Sequence, residues 1–141
     1  MKPKKKQKVS KKSHKEDPLK KIAGKIISAA MEVHSQLGPG LLENVYEEAL
    51  AHEFTLNRIG FERQKEINVI YKGKVVGWHR LDYLVGDEVL VEVKAMENMH
   101  RIYEEQLLTS LRAANKKVGL LINFNVGRIK DGIKVFSLDR K

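Results

Sequence analysis

The chain has 141 residues, no cysteine and a formal net charge of +9 at pH 7. This length suits one folded domain with a single core, and the lack of cysteine excludes a disulfide framework and thiolate metal sites. No apolar stretch approaches the roughly 18 to 20 residues needed to span a bilayer, and the lysine-rich start is not followed by a signal-peptide segment. We therefore expect a cytoplasmic protein with no membrane contact.

The basic charge is concentrated at the start of the chain. Residues 1–21 hold ten lysines against Glu16 and Asp17, a net of +8, so the other 120 residues are nearly neutral. Such a run buries no apolar surface, so we predict a disordered tail over 1–21 and a single domain over 22–141. The tail either solubilises the protein or is an electrostatic arm for nucleic acid. Its candidate phosphate contacts are Lys4, Lys5, Lys6, Lys8, Lys11 and Lys12.

Two amphipathic helices are predicted after the tail. Apolar residues recur at helical spacing over residues 22–37, and Gly38-Pro39-Gly40 ends that helix. A second helix is predicted over residues 41–59, with Gly60 as a left-handed stop. The remaining elements are predicted as strands over 66–71, 74–85 and 88–95, a helix over 101–114, a strand over 118–123 and an edge strand over 133–138. The predicted order is therefore α-α-β-β-β-α-β-β.

The third predicted strand, Val89-Leu-Val-Glu-Val-Lys-Ala95, is unusual because an apolar run carries both Glu92 and Lys94. Side chains alternate faces along a strand, so Glu92 and Lys94 point one way and the valines the other. Burying such charges costs on the order of several kcal/mol unless a partner, a metal or water compensates them. The run therefore indicates either a functional site or a buried structural salt bridge.

A second acid, Asp82, lies on the preceding strand. A two-residue turn would place Asp82 opposite Val91, on the wrong face for Glu92. A three-residue loop at residues 86–88, or a bulge, would place Asp82 opposite Glu92. We predict one of these, because two carboxylates and the Lys94 ammonium then share one face, within reach of a common divalent ion.

Asp82 followed by Glu92-Val93-Lys94 on a hairpin resembles the PD-(D/E)XK nuclease superfamily. In addition, Gly40-Leu-Leu-Glu-Asn-Val-Tyr46 resembles the signature of the GxxExxY family, a small-protein branch of that superfamily. The similarity covers about residues 22–136. It implies an α/β (α+β) fold with a restriction-endonuclease-like core, in which helices flank a mixed central β-sheet, and the predicted element order agrees with this.

The resemblance implies a metal-dependent nuclease that hydrolyses phosphodiester bonds in DNA, with RNA as a less favoured substrate. It implies that Asp82 and Glu92, with the carbonyl of Val93, hold Mg²⁺ or Mn²⁺ through oxygen atoms. Lys94 would orient or help to deprotonate a water molecule and would stabilise the developing anion. Nucleic acid, and DNA in particular, is thus the expected partner.

The resemblance also adds residues outside the hairpin. In related proteins a glutamate from an N-terminal helix reaches the metal, which makes Glu43 and Glu47, one helical turn apart, candidates with Glu47 slightly favoured. Their plainer interpretation is a solvated helix flank. Gln106 either bonds substrate or metal-bound water, or fills the edge of the core. Arg80 and Arg101 flank the expected cleft and are candidate phosphate contacts.

A second functional interpretation is a module that binds nucleic acid or a protein on a nuclease fold without catalysing a reaction. Trp78 and Tyr83 are predicted to be packing residues rather than platforms for base stacking. The sequence leaves the substrate structure, the endo- or exonuclease polarity and the oligomeric state open, with a homodimer among the possibilities.

Overall fold

The structure, a computed structural model, describes residues 17–138. All five strands in this range belong to one sheet in the order β1-β2-β3-β4-β5, in which β3 and β4 run parallel and the other neighbours antiparallel. The sheet and its flanking helices confirm the predicted fold class and element order. The elements are α1 (Pro18–Leu37), α2 (Glu43–Leu56), β1 (Phe61–Tyr71), β2 (Lys74–Val85), β3 (Val89–Lys94), α3 (Ile102–Ala114), β4 (Val118–Asn123), a 3₁₀ turn (Ile129–Gly132) and β5 (Ile133–Ser137).

The parallel pair β3–β4 is covered on both faces. The three valines of β3 pack in a cluster with α1 and α2, whereas Leu90 packs with α3 on the opposite face. All six residues of β4 are buried. A strand covered on both faces needs apolar side chains on both, so Glu92 and Lys94 interrupt a pattern that the fold otherwise requires.

Several boundaries differ from the predicted ones. Helix α1 begins at Pro18, four residues early, because Asp17 caps it by accepting a hydrogen bond from the Leu19 N–H at 2.9 Å. Strand β1 begins at Phe61, five residues earlier than predicted. Among residues 17–138, no helix has both the length and the apolar composition needed to cross a bilayer.

The prediction that Gly60 is the left-handed stop of the second helix is wrong. Arg58 takes the left-handed conformation instead, with φ of 59°. Its N–H bonds to the carbonyl of Thr55, and the N–H of Ile59 bonds to the carbonyl of Phe54. These two bonds form a Schellman motif, which satisfies the last helical carbonyls and ends α2 at Leu56 before Gly60 is reached.

The loop between β2 and β3 has three residues, 86–88, which confirms one of the two predicted connections. Val85 pairs with Val89 across it. Gly86 and Asp87 are both left-handed, with φ of 60° and 61°, and the N–H of Glu88 donates to the carbonyl of Val85. With this register, Asp82 and Glu92 lie next to each other just beyond the last paired residues of the two strands.

Candidate acidic site at the ends of β2 and β3

The segment from Gly38 to Tyr46 fixes where α2 begins. Gly38 and Gly40 have φ of 69° and 98°, a conformation that favours glycine. The Tyr46 side chain is fully buried, and its hydroxyl donates to the carbonyl of Gly38 and accepts a hydrogen bond from the N–H of Leu41. Because the tyrosine closes this turn against the core, the first turn of α2 holds Glu43 in a defined place.

The ladder between β1 and β2 has a gap close to α2, in addition to a register shift further out, between residues 69 and 70. The residues directly before and after the gap are paired, but Gln64 and Asp82, which the register places opposite each other, are not. Leu81 packs in the cluster that contains α3, whereas Tyr83 packs in the cluster that contains α1 and α2. Side chains two apart on a regular strand share a face, so the interruption reverses the faces of the hairpin, and Asp82 lies at the reversal.

Strands β2 and β3 separate at the same level, beyond their last pair, Tyr83 with Val91. There the Asp82 N–H donates to Glu92 Oε1 at 2.8 Å, and the Val93 N–H donates to Asp82 Oδ2 at 2.7 Å. The two carboxylates thus replace backbone bonds between the separating strands. They lie close together, as the three-residue loop led us to expect, while a ligand role for the Val93 carbonyl stays a prediction.

Asp82 also meets the acids of α2. One carboxylate oxygen from each of Glu43, Glu47 and Asp82 lies within 4.8 Å of the others, and all three residues are half-buried. We call these three residues the acidic group. Glu92 lies beside the acidic group, bonded to the backbone of Asp82. The structure therefore brings together both helix glutamates between which the sequence could not choose.

Burial and the charges of neighbouring carboxylates raise the pKa values of the three glutamates at this site. Burial is the largest cause for Glu47, and with the neighbouring charges of Asp82 and Glu43 it raises the pKa of Glu47 to about 7. Burial, followed by the charge of Asp82, also raises the pKa of Glu92 above its ordinary value. The pKa of Glu43 is raised by burial and lowered in part by Lys94. Carboxyl groups held together at this cost indicate a functional site.

Lys94 ends β3 beside these acids. Its Nζ lies 4.4 Å from the centroid of the Tyr103 ring, a cation–π contact with α3. The neighbouring Asn123 of β4 is buried, and its side-chain amide both accepts from the Met96 N–H and donates to the Met96 carbonyl. Asn123 therefore fixes the chain just after Lys94. The sequence analysis missed it, although a polar residue that ends a fully apolar strand was the available signal.

Two further residues of β1 contact the acidic group. The guanidinium of Arg63 lies 3.8 Å from Glu47 and 2.8 Å from Glu48, and Gln64 Nε2 lies 3.4 Å from Glu47 Oε1. Glu48 is mostly exposed and lies outside the acidic group. The sequence analysis named neither Arg63 nor Gln64.

The other predicted site residues take no part in the contacts described above. Gln106 is exposed on α3, so the interpretation that it fills the edge of the core is wrong, and a contact with substrate stays a prediction. Arg80 lies 5.2 Å from the Trp78 ring centroid and 3.6 Å from Glu66, and Arg101 is exposed at the start of α3. Outside the described residues lie the predicted tail contacts Lys4, Lys5, Lys6, Lys8, Lys11 and Lys12.

Comparison with known proteins gives one family. The family model described as PD-(D/E)XK nuclease superfamily matches residues 20–136, which include every residue of the acidic group together with Glu92 and Lys94. The sequence has no significant match among curated proteins.

Proposed function

Because the chain belongs to the PD-(D/E)XK nuclease superfamily, we propose that it is a metal-dependent nuclease that hydrolyses phosphodiester bonds in DNA. The observation that carries this proposal is the acidic group, three carboxylates from two separate elements whose oxygens lie within 4.8 Å of one another. Glu92 and Lys94 lie beside it on β3, where the sequence pattern of the superfamily expects them.

The donor atoms of the acidic group fit a hard divalent cation. Mg²⁺ and Mn²⁺ prefer carboxylate oxygens, and Mg²⁺ commonly takes one or two of them while it keeps several waters. Glu43, Glu47 and Asp82 would hold the ion, with the neighbouring Glu92 as a further ligand. When bound, such an ion would supply positive charge against the negative charge that develops on a scissile phosphate.

The chain's own residues orient the groups around this position. Asp82 is held by the Val93 N–H, and Glu92 by the Asp82 N–H, so neither carboxylate has to be ordered when substrate arrives. Lys94 is steadied by the Tyr103 ring and presents an ammonium group beside the acids. We assign Lys94 the role of orienting the attacking water and stabilising the anionic phosphate.

The geometry of the Gly40–Tyr46 signature supports placement in the GxxExxY branch. Gly40 takes a left-handed conformation, Glu43 belongs to the acidic group, and Tyr46 closes the turn between α1 and α2. Each fixed position of the motif therefore has a physical reason that serves the same site.

A cleavage assay tests the proposal. Wild-type protein is incubated with single-stranded, double-stranded and branched DNA in Mg²⁺, Mn²⁺ or chelator, beside Asp82→Asn and Glu92→Ala. Glu48→Gln is the matched control, because Glu48 lies on the same helix but outside the acidic group. We expect cleavage only with metal, retained in Glu48→Gln and lost in the other two variants. Binding of DNA without cleavage, unchanged in all variants, would instead support a non-catalytic module.

A further inference from the structure

Arg63 and Gln64 are adjacent in sequence, yet both side chains approach Glu47. Adjacent side chains of a regular strand point to opposite faces, so they cannot normally meet the same partner. The backbone between them must therefore depart from strand geometry. It does so at Gln64, whose φ is 53°.

Gln64 differs from the other left-handed residues of the chain. Among residues 17–138, five residues other than glycine have positive φ, and Gln64 is the one that lies within a strand. The other four lie in connections between elements: Arg58, Lys72, Asp87 and Asn115. A left-handed residue with a side chain is uncommon and costs conformational energy, and such residues cluster at functional sites.

The position of Gln64 explains how Asp82 reaches the helix acids. Gln64 lies opposite Asp82 in the register, at the level where the hairpin reverses its faces. At this reversal the Asp82 N–H bonds to Glu92, and the Asp82 carboxylate meets those of Glu43 and Glu47. A regular β1 would instead pair with Asp82 at this level, and the side chains of β2 would keep alternating between the two faces of the sheet.

We propose that Gln64 is a positioning residue for the metal site. Its left-handed backbone turns Asp82 toward α2, and its side-chain amide steadies the Glu47 carboxylate. This inference rests on the proposed function, since it assigns Gln64 a purpose only if the acidic group holds a cation.

Three variants separate the backbone from the amide. Gln64→Val replaces the residue with a β-branched one that strongly disfavours positive φ, so it disrupts the backbone and removes the amide. Gln64→Gly keeps the backbone conformation and removes only the amide. Lys72→Gly is the control, because Lys72 is left-handed with φ of 48° but lies in the β1–β2 turn, away from the acids.

The readout is the Mn²⁺ dissociation constant from isothermal titration calorimetry, with circular dichroism and melting in chelator to show that each variant is folded. We expect Gln64→Val to bind Mn²⁺ about 10- to 100-fold more weakly, the usual range for residues that orient metal ligands. Gln64→Gly should lie between wild type and Gln64→Val. Lys72→Gly should bind as wild type, whatever its melting temperature.

A folded Gln64→Val variant with the wild-type affinity for Mn²⁺ would overturn the inference. If Gln64→Val does not fold, Gln64→Gly decides, and a wild-type affinity there would overturn it because the amide would then contribute nothing. A wild-type protein that binds no Mn²⁺ would defeat the proposed function, and the inference with it. Binding by wild type and by all variants alike would defeat the inference alone.

Discussion

The β1–β2 hairpin consists of two parts with opposite environments. The hairpin base, residues 61–63 and 83–85, lies against the helices, and Tyr83 and Val85 are 0 % exposed. The distal hairpin, residues 68–80, extends past the end of the β2–β3 ladder, and Trp78 there is 57 % exposed. Other exposed apolar residues of the distal hairpin are Val69, Ile70, Tyr71, Val75 and Val76.

This difference teaches that coverage by neighbouring elements, rather than apolar content, decides burial in this hairpin. Strand β3 pairs with β2 only at residues 83–85, so beyond that level β2 has no strand on this side. The prediction that Tyr83 is a packing residue is confirmed, whereas the same prediction for Trp78 is wrong because its ring is mostly exposed. Asp82 lies between the two parts, where a rigid support meets an accessible surface, which is what a catalytic carboxylate needs.

The largest expected effect contrasts one aromatic residue from each part. Tyr83→Ala should lower the free energy of unfolding by about 3 to 5 kcal/mol, because it removes a buried ring and its hydroxyl bond to the carbonyl of Glu47. Trp78→Ala should cost less than about 1 kcal/mol, because the ring is mostly exposed. Urea denaturation of the two variants measures both. Equal costs would show that the distal hairpin is covered in solution.

Divalent metal should stabilise the protein by binding at Asp82, which lies between the two parts of the hairpin. A ligand that binds only the folded state at 100 times its Kd adds about 2.7 kcal/mol to the free energy of unfolding. Wild type should therefore melt at a higher temperature in Mn²⁺ than in chelator, and Asp82→Asn should show no such shift. Differential scanning fluorimetry measures it, with Glu48→Gln as the variant that keeps the shift. A shift that persists in Asp82→Asn would place the metal elsewhere.

The metal-free protein should lose stability as the pH rises. Glu47 has a folded-state pKa of about 7, above its ordinary value of 4.5, so its contribution is fully present below pH 4.5 and is lost as the pH passes 7. After allowance for solvent screening, we expect Glu47 to account for a loss of about 1 to 2 kcal/mol between pH 5 and pH 8 in chelator.

Glu47→Gln should remove the part of that pH dependence that comes from Glu47, because the amide does not ionise, whereas the part that comes from Glu92 and Glu43 should remain. Urea denaturation in chelator at pH 5 and pH 8, for wild type and Glu47→Gln, checks this. Glu53→Gln, a substitution further along the same helix, should behave as wild type. A variant with the full wild-type slope would mean that Glu47 ionises freely in the folded protein.

The smallest effect on stability is expected in the distal hairpin. Arg80→Gln breaks an exposed ion pair with Glu66 at 3.6 Å and a contact with the exposed Trp78 ring, so the free energy of unfolding should change by less than about 1 kcal/mol. If Arg80 contacts a DNA phosphate, the slope of log affinity against log salt should fall by about 0.9. Fluorescence anisotropy over a series of salt concentrations measures the slope. No change in slope would remove Arg80 from the DNA contacts.

Much of the site was predictable because it depends on strand alternation and loop length. The period of two along β3 and the three-residue loop were enough to bring Asp82 and Glu92 together. The helical spacing of Glu43 and Glu47 placed both on one edge of α2. These are local regularities, and the sequence states them directly.

The sequence could not predict the interruption at Gln64. A left-handed residue is expected at glycine, asparagine or aspartate, and Phe61-Glu-Arg-Gln-Lys65 contains none of these. The charged residues before Gln64 and the break in side-chain alternation at Gln64 leave no strand pattern in the first part of β1. The strand was therefore predicted to begin at residue 66. Asn123 was missed because its side chain bonds to the backbone of the loop after β3, a contact that the sequence of its own strand, β4, does not reveal.

The most direct test of the account is a crystal of the protein soaked in Mn²⁺ and measured at a wavelength that gives anomalous signal from manganese. We expect an anomalous peak at coordination distance, roughly 2.0 to 2.6 Å, from carboxylate oxygens of Asp82 and of Glu43 or Glu47. We also expect the peak to be absent from Asp82→Asn crystals soaked in the same way. A wild-type crystal with no peak at these residues, or with its peak elsewhere, would contradict the claim that the acidic group is a metal site.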